Sequence, residues 1–160
     1  MSLFGDGQYQ WRETYFVLFR QSDHPLASQV VEELTRDDGR FHVSNVRADE
    51  GGRLESLTLK SPDDFAAMDI SFVSGEEVSE QIEELVREIS RATLTDEERE
   101  KMRRLTRCDA RFDIFHFEQI PPDDEEGDEF LDPAALLIVI ERLSKLCHGI
   151  GVDPQSGSLM

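Results

Sequence analysis

Six carboxylates occupy the seven positions that follow Pro121-Pro122: Asp123, Asp124, Glu125, Glu126, Asp128 and Glu129. Calcium takes about six to eight oxygens from a loop that wraps around it. This run offers the oxygens but lacks the Asp-x-Asp-x-Asp-Gly…Glu spacing of an EF-hand. Adjacent carboxylates also repel and point in different directions. The expectation is a solvated acidic loop over 121–131, with these six residues as the candidate metal ligands if a cation binds at all.

The other residues capable of chemistry are few. His116 sits between Phe115 and Phe117 in an apolar segment and shares strand parity with Phe112 and Ile114. A neutral, hydrogen-bonded core imidazole is its plain reading, and catalysis would need a carboxylate or nucleophile beside it. Asp113 falls on the opposite parity. Cys108 lies eight residues earlier, out of reach along an extended strand. Cys147 and His148 are adjacent at a helix end, where neighbouring positions do not share a face. His116, Cys108, Asp113 and His148 are therefore the catalytic candidates, as a dispersed set. His24 and His42 complete no ligand pattern, and HExxH, GxSxG, P-loop and GxGxxG motifs are absent. No cofactor is expected. Gln21-Ser22-Asp23-His24 follows a strand and precedes a helix, as anion sites often do, but it has no glycine and already carries Asp23. Helix capping by Ser22 or Asp23 is the better account.

A local basic patch gathers Arg99, Lys101, Arg103, Arg104, Arg107 and Arg111. The chain as a whole has 17 basic and 35 acidic side chains, a net charge of −18, which repels phosphate backbones and anionic membranes. The patch is expected to meet an internal acidic partner, either the Glu-rich helix 76–91 or the acidic loop.

The elements that position these residues follow from periodicity. Tyr15 to Phe19 is an unbroken apolar run, and residues 110–118 have an apolar centre on both parities; both read as strands covered on two faces. A helix with Leu26, Val30 and Leu34 at spacing four ends at Asp38-Gly39. Residues 41–46 and 54–60 are strands joined by the ADEGG turn, and 68–72 alternates as a half-exposed strand. Ser74 and Glu77 have capping-box spacing before a helix with the stripe Val78, Ile82, Leu85, Val86 and Ile89. Thr95 and Glu98 repeat that spacing ahead of a shorter helix. Asp132-Pro133 opens a nearly all-apolar helix over 134–147, and Ile150 to Val152 is a short strand.

The order β-α-β-β-β-α-α-β-α-β gives an α+β fold with a mixed sheet and packed helices, in a single domain of residues 1–160 with an N-terminal extension over 1–12. The opening βαββ unit resembles part of a ferredoxin-like arrangement. No apolar run approaches the length of a membrane span, and the N-terminus has no secretory pattern, so a soluble cytoplasmic chain with free thiols is expected.

The functional expectation is a non-catalytic interaction or regulatory module. An uncovered part of its sheet would meet a protein partner or a second copy, with Tyr9, Trp11 and the Phe-rich strands contributing. The alternatives are a small enzyme using the dispersed His/Cys/Asp set, and an acidic mimic that occupies a basic partner.

Overall fold

The two strands with unbroken apolar centres lie in the middle of the sheet. The computed structural model describes residues 9–36, 39–89, 94–119, 134–153 and 158–159. Its strands are β1 (Tyr9–Phe19), β2 (His42–Ala48), β3 (Leu54–Ser61), β4 (Ala66–Ser74), β5 (Ala110–Gln119), β6 (Ile150–Asp153) and β7 (Ser158–Leu159). Its helices are α1 (Ala27–Leu34), α2 (Glu76–Ile89), α3 (Asp96–Leu105) and α4 (Ala134–Cys147). The seven strands form one sheet in the order β2-β3-β4-β5-β1-β6-β7. This is the expected α+β architecture of a sheet with packed helices, and the antiparallel pairing expected of the hairpins extends to all six ladders.

Alternation along the strands builds two cores. On the first face, Val17, Phe19, Leu57, Leu59, Met68, Ile70, Phe112 and Ile114 are buried against α1 and α4. On the second, Leu18, Ile150 and Val152 are buried with Val78, Ile82 and Leu85 of α2 and Leu105 of α3. Each fully buried Leu, Ile, Val or Phe contributes about 1.5–3 kcal/mol relative to exposure. The helices therefore hold the sheet wherever they cover it. Arg142 of α4 joins the two helices of the first face: it is buried over the Phe41 ring and donates to the Glu33 and Leu34 carbonyls at the end of α1, each 3.4 Å away. Those are the carbonyls that a helix end leaves unsatisfied.

Local chemistry places several boundaries. The Thr95 capping box forms as expected, with Thr95 Oγ1 accepting from Glu98 N–H at 3.1 Å and Glu98 Oε1 accepting from Thr95 N–H at 3.0 Å. At the start of α2 the first helical bonds return to the Gly75 carbonyl, not to Ser74. Gly75, at φ 107°, serves as the cap because it can adopt a backbone closed to side-chain-bearing residues. The first helix begins later than expected. Residues 21–23 form a single 3-10 turn, Asp23 pairs with Arg20 at 3.5 Å, and α1 starts after Leu26, whose N–H donates to Gln29 Oε1 at 3.1 Å.

Two expectations on layout change. The described part of the proposed N-terminal extension, residues 9–12, belongs to β1. A ferredoxin-like unit would set β1 beside β3, but β5 and β4 lie between them. The connection through α1 carries the chain to the far edge, because β4 and β5 fill the space next to β1. The acidic loop 121–131 lies outside the described residues. Among the described residues no helix is long and apolar enough to cross a membrane.

Candidate functional site

An irregularity in β1 decides what the centre of the sheet presents. Trp11 pairs with Phe117 and Glu13 pairs with His116, so Arg12 is an extra residue. Such a bulge shifts the alternation by one. In an uninterrupted strand Trp11, Glu13 and Tyr15 would share a face. Here Glu13 stays on the first face while Trp11 moves to the second, where its indole Nε1–H donates to Thr14 Oγ1 at 3.1 Å.

On the first face the bulge completes a dyad. His116 is 1% exposed, and its Nδ1 lies 3.3 Å from Glu13 Oε1, while Nε2 has no partner among the described residues. In the tautomer whose Nδ1–H donates to the carboxylate, Nε2 carries a bare lone pair. The carboxylate that His116 lacked in sequence is thus supplied 103 positions away. A carboxylate that orients one imidazole nitrogen and leaves the other unpaired is the arrangement of a general base. This one is sealed in the core. Burial, with Asp153 and Glu13 nearby, also pushes the adjacent Tyr15 hydroxyl up.

The other catalytic candidates lie elsewhere. Asp113 is on the second face, as its parity requires, and it is occupied. Arg111 Nε–H donates to Asp113 Oδ1 at 2.5 Å, and the same guanidinium reaches Gln81 Oε1 at 2.6 Å and Glu77 Oε1 at 3.3 Å. Burial pushes the Asp113 carboxyl up and Arg111 pulls it back. Cys108 stands at the opposite end of β5 from His116, with its thiol pushed up to about 11 by burial. Cys147 is pushed to about 12 by the same cause. An activated nucleophile needs the reverse shift. His148 has φ 53°, and its carbonyl accepts from Arg104 at 3.0 Å. The four candidates are not brought together. His24, unassigned by the sequence, is a satisfied core histidine: it stacks on Phe72 at 3.9 Å, and its Nε2–H donates to the Leu54 carbonyl at 2.6 Å.

The basic patch mostly serves its own helix. Arg99 pairs with Asp96, Lys101 with Glu97 and Arg103 with Glu100. The expected link to the Glu-rich helix is made by Arg111 through Glu77. A shallow groove between α2 and the end of α3, lined by Ile82, Glu83, Val86, Arg87 and Thr106, contains none of the predicted site residues. Among the described residues no three His, Cys, Asp or Glu side chains converge as metal ligands would.

Among the described residues, no helix covers the part of the second face beyond α2 and α3. Two rows cross the sheet there: Trp11–Phe117–Ala67–Lys60 and Thr14–Phe115–Asp69–Thr58. The next row, containing Phe16 and Val152, already belongs to the core under α2. Trp11 is 53% exposed, Phe115, Phe117 and Asp69 are half-buried, and the smaller Ala67 and Thr58 are buried. Asp69 Oδ1 accepts from Thr58 Oγ1 at 2.7 Å, and burial pushes its carboxyl up. At the same end of the sheet, Phe65 is 60% exposed and held at φ 51° while its carbonyl accepts from Gln119 N–H. No family model, curated protein or solved structure matches the chain, so the use of this aromatic ledge rests on its own geometry.

Proposed function

We propose that the chain is a non-catalytic protein-interaction module whose docking surface is the Trp11–Phe115 ledge. The supporting observation is the exposed indole held by its bond to Thr14 on a sheet face that no described helix covers, beside further aromatic side chains. Trp is the residue type most often found at binding hot spots, where truncation costs about 2 kcal/mol or more. A flat sheet face with its aromatics already placed loses little side-chain entropy on docking.

The enzyme reading has one feature in its favour, the unpaired Nε2 of the His116–Glu13 dyad. Its burial weighs against it, since a reactant has to reach that nitrogen. The dispersed set Cys108, Asp113 and His148 adds no second group to it.

A photo-crosslinking residue placed at position 11 tests the proposal in cells, with Leu137, an exposed apolar residue on α4, as the control position. The reading predicts one defined protein adduct, a second copy or another protein, at position 11 and not at 137. Identical adduct patterns at both positions would remove the ledge as a docking surface.

A further inference from the structure

We infer that the occupant of the ledge is a lysine- or arginine-rich protein segment; this rests on the ledge being the docking surface. Two observations select that chemistry. The first is charge. The chain carries −18, so a second copy approaches against its own sign and a basic partner approaches with the field. The second is what borders the aromatic side chains. Asp69 lies in the Phe115 row, on the next strand, with one oxygen held by Thr58. Glu77 of α2 lies farther off, paired with Arg111 two rows beyond Phe115, so Asp69 is the carboxylate beside the ring row. Aromatic faces receive ammonium and guanidinium groups through their ring quadrupoles, and a nearby carboxylate completes the pairing.

The cations already present leave room for this. Arg12 is paired with Glu118 at 3.3 Å. Lys60 lies in the Trp11 row three strands from the indole, about 14 Å at the usual strand spacing, and pairs onward with His42 of β2. An extended segment crossing the strands would set one basic side chain on the Trp11 indole and another by Asp69. Arg111, buried and committed to Asp113, Gln81 and Glu77, does not compete for Asp69.

The test is fluorescence anisotropy of a labelled Lys/Arg-Ser-Gly dodecapeptide at physiological salt, against its Glu-substituted counterpart. It is run with wild type, Trp11→Ala, Trp11→Phe and Asp69→Asn, alongside light scattering of each protein. Because Trp11 is the sole tryptophan, its emission in the wild type independently reports whether the peptide reaches the ledge. The expected result is saturable binding of the basic peptide alone with a change in Trp11 emission. Trp11→Ala and Asp69→Asn should each weaken it by about fivefold or more, and Trp11→Phe should retain most of it. Equal binding by wild type, Trp11→Ala and Asp69→Asn would mean diffuse attraction to the acidic surface and would overturn the inference. Absence of peptide binding together with a dimer lost in Trp11→Ala would overturn the basic occupant while leaving the ledge as a docking surface. Absence of both would count against the ledge itself.

Discussion

Removing one charge from the Arg111–Asp113 pair should cost far more than its share of the double replacement. Arg111 is 7% exposed and Asp113 9% exposed, joined at 2.5 Å, with Arg111 also 5.1 Å from the Phe16 ring. In Asp113→Leu the guanidinium stays under α2 with Gln81 and Glu77 as its remaining partners. Breaking a buried pair costs about 3–5 kcal/mol, and the surviving Glu77 places this variant at the lower end, about 3 kcal/mol. For a chain of this length that lowers Tm by about 6–12 °C. Arg111→Met leaves a carboxyl that burial already pushes up, so it relieves itself by taking a proton, and about 2 kcal/mol is expected. The double variant leaves no uncompensated charge. It loses the bonds that orient α2 and should cost about 2 kcal/mol, giving a coupling of about 3 kcal/mol. Urea unfolding followed by circular dichroism and by Trp11 emission supplies the four free energies and checks two-state behaviour. Single-variant costs that add up to the cost of the double would refute the reasoning, because the two groups would then not interact in the folded chain.

Three further expectations rest on separate features. A Cβ at Gly149 would lie 2.8 Å from Val17 Cγ1, 2.9 Å from the Leu18 carbonyl oxygen and 3.0 Å from Cys147 Sγ, so Gly149→Ala should destabilise by about 1–3 kcal/mol in urea titration. With thiols pushed up to about 11 and about 12, Cys108 and Cys147 should react slowly with a disulfide reagent at neutral pH; modification of Cys147 should await unfolding, and equal rates in native and urea-unfolded protein would contradict its burial. Asp69 is pushed up by burial, so its neutral form favours folding: that contribution is present below its unfolded value and lost as pH rises through its folded value. The stability of Asp69→Asn relative to wild type should therefore increase between pH 3 and pH 7, as read from melting temperatures.

Much of the fold is legible along the chain because its causes are local. The apolar runs around Val17 and Ile114 identify central strands, although β5 is buried on both faces only over Ala110–Ile114 and leaves Phe115 and Phe117 half-buried. Thr95 and Glu98 cap α3 through groups three residues apart, and the apolar stretch from Ala134 marks a helix buried along much of its length. His116 could be placed on the face of Ile114, and Asp113 on the other, by parity alone. The carboxylate beside His116 could not, because Glu13 lies in a strand whose alternation is broken at Arg12, and QWRETY carries no signal for a bulge.

Composition and periodicity by themselves determined that this chain builds an acidic α+β domain around two apolar central strands, because backbone sterics and apolar spacing act over a few residues. Only the tertiary structure decided that β5 runs between β1 and β4, that Glu13 meets His116, and that Trp11 faces outward. Each of these depends on register between segments far apart in the chain, and one extra residue in one strand exchanges its two faces.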